Sequence, residues 1–239
     1  MGLTLDDSTK AAIRSTWAAE LKIPISLHKV DGLKVIGRKE STWVVVLKLD
    51  DSQVVISPSL SYPYLSQLDA DQLLDLNILT SVLSEFDPRP VGSAFLLFSQ
   101  GHSSELVADQ SVRTATNEEV DRLLESCSRL EADERGLKGM QYHFVVSDSV
   151  GKPIAIAGYE IWNQTIAHIG ALVEPSHRGH GFGVRVAKSA AQHARAKSPV
   201  LQWRVRTDNT PSNHLAARPG FVKIGQQMAL ELTTPVPTG

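Results

Sequence analysis

The stretch Val173-Glu174-Pro175-Ser176-His177-Arg178-Gly179-His180-Gly181-Phe182-Gly183 constrains this chain more than any other. It follows an apolar run and opens a helical pattern. Glycine at alternate positions removes Cβ atoms and admits positive φ, so consecutive backbone N–H groups can turn toward one point. The helix behind adds four N–H groups without intrahelical partners and the positive end of its dipole. Such a place suits a phosphate or pyrophosphate.

Spacing narrows the ligand. A Walker loop needs glycine directly before Lys188-Ser189, where this chain has Ala187, and its first glycine falls on Phe182. The dinucleotide fingerprint needs a third glycine at Val186 or Phe182, according to where it begins. Arg178-Gly179-His180-Gly181-Phe182-Gly183 fits instead an Arg/Gln-x-x-Gly-x-Gly/Ala pattern. A second block lies downstream: Asn209-Thr210-Pro211-Ser212, then Gly220-Phe221. With both blocks in place, the C-terminal half, roughly Ser111 to Leu232, resembles the GNAT superfamily of coenzyme-A-dependent N-acyltransferases.

The resemblance implies that Arg178, Gly179, His180, Gly181, Phe182 and Gly183 hold the pyrophosphate of acetyl-CoA or another acyl-CoA. It implies that Leu172 and Val173 end a splayed central strand whose backbone pairs with pantetheine, and that Asn209 and Ser212 form the later motif. Local charge agrees. Between Glu174 and Asp208 no acidic residue occurs, whereas Arg178, Arg185, Lys188, Arg195, Lys197, Arg204 and Arg206 are basic. Such a stretch attracts a polyanion, although the later members also suit a solvated helix face.

The pattern around the loop predicts alternating helices and strands. Val112–Ala115 reads as a short strand, and Asn117 as the cap of a helix carrying Val120, Leu123, Leu124 and Cys127. Tyr142–Ser147 and Pro153–Trp162 read as strands around a turn with Asp148, Gly151 and Lys152; Thr165–Val173 and Val200–Arg206 are further strands. The helix after the loop runs to about Lys197, with Val184, Ala187, Ala191 and Ala194 as its small apolar face. A short helix follows Asn209, and Phe221–Leu232 holds one or two strands. The expected fold class is α/β (α+β): a GNAT-like mixed, mostly antiparallel sheet flanked by helices, with an N-terminal α+β domain.

Aminolysis of a thioester needs a neutral, well-placed amine, a proton acceptor, and a donor for the departing thiolate. Many family members carry a tyrosine seven residues beyond the motif asparagine, where this chain has Ala216; others carry Asn-x-x-Ser, and Ser212 occupies that serine. Ser212 is therefore a candidate acid or thiol-orienting donor, or a helix cap beside Asn209. A glutamate that some members use as base corresponds to Arg204. Glu160 and His168, on strands expected to border the substrate cleft, are the remaining candidate bases; each also suits a structural strand position. Tyr159 and Trp162 either line an acceptor pocket or pack. His177 and His180 lack a third ligand, so no metal is expected.

Bulk properties exclude other classes. The formal net charge of −2 gives no reason to expect nucleic acid as a partner. No run approaches the ~20 apolar residues of a membrane span, and the first residues lack a charged lead into an apolar core. Cys127 is the single cysteine, in keeping with a reducing cytoplasm. The acceptor is expected to be an amine on a small molecule or a protein; oligomeric state is left open.

Before a polar stretch near Gly101–Gln110, a helix from Asp7, a hairpin of Trp43–Leu47 and Val54–Ile56, a helix from Asp69 to Phe86 and a strand at Ser93–Phe98 are predicted. This divides the chain into 1–105, an accessory or decayed GNAT-like domain, and 106–239, the acyltransferase domain. Two-part chains with the motif in the second half resemble glycine N-acyltransferase-like proteins, a likeness suggesting that the first half helps wall the acceptor cleft. The reading is thus an acyl-CoA-dependent N-acyltransferase acting in a ternary complex. A non-catalytic acyl-CoA-binding module and a nucleotide-binding protein with an atypical loop are the alternatives.

Overall fold

The computed structural model describes residues 4–24, 32–100, 109–128, 131, 136–207 and 220–233. The described residues fall into two compact units. The first draws on Met1–Thr16, Leu97–Arg204 and Pro211–Val222, the second on Trp17–Leu96, Val205–Thr210 and Lys223–Gly239. Each unit therefore takes segments from both halves of the chain.

The first unit holds strands β5 (Arg113–Thr114), β6 (Tyr142–Ser147), β7 (Pro153–Trp162), β8 (Ile166–Val173) and β9 (Val200–Arg206) in the order β9-β8-β7-β6-β5, with the last two residues of β9 assigned to the second unit. Neighbours pair antiparallel except β8 and β9, which run parallel. Strand bounds follow alternation: β6 buries every second residue around Phe144, while β7 is buried throughout Pro153–Tyr159, as a central strand covered on both faces should be. A helix, α4 (Asn117–Glu125), buries Val120 and Leu123 against Val145, Ile156 and Leu172. A second, α5 (Phe182–Arg195), packs on β6, β7 and β8 through Val186, Ala187, Ala190, Ala191 and Ala194. Those alanines let the helix approach the sheet closely; Val184 is only half-buried.

The cap of α4 is Thr116, one residue before the expected Asn117. Its hydroxyl accepts from the Glu119 N–H while the Glu119 carboxylate accepts from the Thr116 N–H, a reciprocal box that satisfies two orphan donors. Cys127 lies beyond the end of the helix, half-buried against the same core.

The second unit orders its strands β1 (Gly32–Arg38), β3 (Ser52–Pro58), β2 (Trp43–Leu49), β10 (Val222–Leu232) and β4 (Pro88–Gln100); the terminal residues of β10 and β4 pass to the first unit. β2 and β3 form the expected hairpin. β1 was not expected; it pairs parallel with β3, and its burial alternates weakly because it lies at an edge. Val44, Val46, Val55, Leu79, Leu83 and Leu230 belong to the core of this unit. The helix expected from Asp69 to Phe86 is broken into a 3-10 turn (Gln72–Leu74), α3 (Leu76–Val82) and another 3-10 turn (Ser84–Phe86). Asp75 causes the break. Its backbone is extended and its carboxylate accepts from the Asn77 and Ile78 N–H groups, so it restarts the helix as a cap. Remaining helices are α1 (Asp7–Glu20) and the single turn α2 (Tyr62–Leu65).

Candidate functional site

Two features of the first unit converge on the end of β8. The parallel ladder between β8 and β9 is registered from Ile166↔Val200 to Ile169↔Trp203 and ends there. On its other side β8 stays paired with β7 as far as Ala155↔Val173. Gly170 to Val173 therefore continue as strand on one side after the parallel ladder has stopped. Leu172 points its side chain into the core beneath α4, so what it can offer a ligand is backbone.

The loop follows at once. Glu174 caps a 3-10 turn, Pro175–His177, by accepting from the Ser176 N–H. The same carboxylate takes the Ser176 hydroxyl and lies 2.7 Å from His177 Nδ1; these bonds, with Lys152 at 3.5 Å, pull its pKa down to about 2. Gly179 and Gly181 have φ of +82° and +84°, a region that L side chains avoid, and nothing lies within 4 Å of where their Cβ atoms would be. The glycines are thus required by backbone conformation, and the space beside them is open. Gly181 is the N-cap of α5 and supplies no side-chain cap. The first N–H groups of α5 consequently face that space together with the dipole. These residues fit the pyrophosphate of coenzyme A.

The loop's arginines have other duties. Arg178 donates to the Val173 carbonyl at 3.2 Å and pairs with Glu131 at 2.9 Å. Arg185 pairs with Asp109 at 2.7 Å, donates to the Ser111 hydroxyl, and lies 5.5 Å over the Phe182 ring. They brace the loop and the start of α5 rather than standing as loose cations. Phe182 is flanked by the rings of His177 and His180 at 6.2 and 6.4 Å; His180 itself is exposed.

Glu160 and His168 are directly opposed across β7 and β8, and His168 is opposed to Gln202 across β8 and β9. Alternation puts Glu160, His168, Gln202 and Arg204 on one face, the face that also carries Ile156 and Leu172. Gln202 and the stacking of Trp162 on His168, with centroids 4.8 Å apart, were not foreseen; only strand register brings them together. The Gln202 amide donates to His168 Nδ1 at 3.1 Å. Burial, and then the Arg204 charge, push the imidazole pKa down to about 3, so His168 is neutral at physiological pH. Burial also lowers Arg204, and the neighbouring Glu160 carboxylate opposes that shift. Glu160 remains half-buried.

Tyr159 points to the opposite face. It stacks on Tyr142 at 4.7 Å and its hydroxyl lies 2.7 Å from His193 Nδ1; burial raises the phenol pKa, so the hydroxyl is the donor. It is packing for α5. Asn209, Ser212 and Ala216 lie outside the described residues. Among the described residues no three His, Cys, Asp or Glu side chains are placed to hold a metal ion.

An antiparallel sheet with one parallel pair that parts midway, leading into a glycine turn and a helix N-terminus, gives the chain's second half a GNAT-like fold. Residues 108–221, just under half of the chain, match the Acetyltransferase (GNAT) family model. The chain is similar to streptothricin acetyltransferase of Streptomyces lavendulae, with 35% identity over 77 residues, 32% of this chain and 41% of that protein. The match thus spans less than half the length of that relative. Among solved structures, a putative GNAT-family acetyltransferase from Novosphingobium aromaticivorans aligns with a TM-score of 0.50 at 17% identity, over 62% of this chain and 68% of its own. A GNAT-family acetyltransferase from Colwellia psychrerythraea aligns at 0.45 and 16%, over 66% and 62%. At 17% identity the first of these likenesses is one of fold alone.

Proposed function

We propose that this protein transfers an acyl group, acetyl in the first instance, from acyl-CoA to a primary amine by direct attack in a ternary complex. The observation that carries the reading is the end of the β8–β9 ladder at Ile169↔Trp203, directly before a positive-φ glycine loop and an uncapped helix. In this reading the backbone of Gly170–Val173 aligns an extended chain, and the N–H groups of residues 179–183 hold its pyrophosphate. Acyl-CoA supplies the activated thioester. Functionally, residues 106–239 are the acyltransferase part and 1–105 the accessory part.

Glu160 is the proposed proton acceptor for the attacking ammonium, with the Arg204 guanidinium nearby on the same face. His168 takes the supporting role: neutral and held by Gln202, it fixes the strand face beside Glu160 and does not compete for the proton. Ser212 is proposed as acid or thiol-orienting donor, beside Asn209. The name of the S. lavendulae relative makes acetyl the first acyl group and streptothricin the first acceptor to test. The single cysteine, Cys127, favours placing the reaction in a reducing cytoplasm.

A thermal-shift titration against acetyl-CoA, longer acyl-CoAs, free CoA, ATP and NAD tests the cosubstrate. At a hundred times its dissociation constant, acetyl-CoA should stabilise the fold by about 2.7 kcal/mol. A matching effect of ATP or NAD, or none of any CoA, overturns the reading. Thiol release with an amine panel then separates catalysis from a non-catalytic acyl-CoA-binding module, which shows the shift and no turnover.

A further inference from the structure

Where β9 joins β8, the sheet of the first unit is packed on both faces. On one face Ile169 and Trp203 are each 1% exposed, and Phe221 meets the Trp203 ring at 71°, with centroids 6.1 Å apart. On the other face His168 and Gln202 are directly opposed, 7% and 0% exposed, and joined by the 3.1 Å hydrogen bond. Trp162, from β7, stacks on the His168 ring. Side chains of three strands thus hold this pair in one arrangement.

The step before the pair is different. Gly170 faces Gly158 across β8 and β7. Alternation along β8 puts Leu172, Gly170 and His168 on one face, so the strand brings no side chain to that face between Leu172 and His168. A chain laid along β8 toward Ile169 passes one glycine step and then meets the His168–Gln202 wall.

The coenzyme-A reading, on which this inference rests, sends such a chain there. The phosphate end lies at residues 179–183, and the extended arm runs back along β8 from Val173 to Gly170. Four strand residues span about 13 Å, the scale of an extended pantetheine arm. Its far end, the thioester and acyl group, arrives where the ladder closes at Ile169↔Trp203. We infer that His168 and Gln202 set the length of the acyl group: the glycine step takes two or three carbons, and the buried pair stops longer chains. Extra methylenes would have to displace close-packed atoms, which is unfavourable. Both residues act here on specificity; neither moves the reacting proton.

Isothermal titration of the full chain with free CoA and with acetyl-, propanoyl-, butanoyl- and hexanoyl-CoA tests this without an acceptor amine. Butanoyl- and hexanoyl-CoA should bind at least about tenfold more weakly than acetyl-CoA, the low end of what a pocket wall achieves against added methylenes. Gln202→Ala shortens the wall and should bring the acetyl-to-butanoyl affinity ratio below about threefold. The ratio is taken within each protein, so a general loss of coenzyme A binding cancels from it. Should that variant fail to fold by circular dichroism, the length series on the unaltered protein decides. Equal affinity across the series, or an unchanged ratio in folded Gln202→Ala, overturns this inference and leaves the acyltransferase reading standing. Binding of no CoA species, free CoA included, overturns both.

Discussion

Glu160 and His168 oppose each other across one strand pair, yet their surroundings fit them for different work. Glu160 is half-buried beside a guanidinium, whereas His168 is buried under Trp162 with its acceptor nitrogen occupied by Gln202. Glu160→Gln is therefore expected to lower kcat by roughly 10²–10⁴-fold, the usual worth of general-base catalysis, while the KM for acetyl-CoA stays near its original value. A pH–rate profile that keeps its acidic limb in this variant would remove Glu160 from the mechanism. His168 makes a separate prediction about stability. Its folded pKa, about 3, lies below the unfolded value near 6.5. Between these values the unfolded chain binds the extra proton, so stability is complete above pH 6.5 and declines as pH falls toward about 3. His168→Gln should flatten that decline in urea melts taken from pH 7 to pH 4. An unchanged slope would mean that the imidazole is not buried in this way.

At the scale of elements, helix starts depend on side chains that hydropathy patterns do not weigh. Thr116 and Glu119 share a capping box, and Arg113 holds the Glu119 carboxylate at 2.5 and 2.9 Å, which lowers its pKa to about 2. Thr116→Ala should destabilise the protein by about 1 kcal/mol, measured by urea unfolding. A loss near zero would show that water replaces the cap without penalty. α5 is the contrasting case: with glycine at its N-cap and no side-chain cap hydrogen bond, it forgoes that stabilisation. The apolar period of α5 and its glycine start were readable from residue spacing. The break at Asp75 was not, because Leu73, Leu74, Ile78 and Leu79 keep helical spacing on both sides of a residue that happens to cap.

For the whole molecule, chain order and compact units do not coincide. β10, from the C-terminal end, pairs antiparallel with β2 over Gly225↔Leu49 to Glu231↔Trp43, and Met228, Leu230 and Leu232 belong to the second unit's core. A fragment of residues 1–105 lacks this strand and leaves the hydrogen-bonding edge of β2 open. It is expected to show no cooperative thermal transition by circular dichroism. Cooperative unfolding of the fragment would show that β10 is dispensable.

The sequence by itself determined the strands β6 to β9, the helix after the glycine loop and the positive φ that the loop glycines adopt. These rest on local periodicity and on a backbone conformation that glycine alone adopts readily. It also carried the resemblance to an acyltransferase, because Arg178–Gly183 is one short contiguous stretch. Only the tertiary structure decided that the β8–β9 ladder stops at Ile169↔Trp203, that burial keeps His168 neutral beside Gln202, that Glu131 and Asp109 pair with Arg178 and Arg185, and that β1 and β10 join the sheet of the second unit. Each depends on which strand lies beside which. Register and burial are properties of neighbours distant in the chain, and no local pattern encodes them.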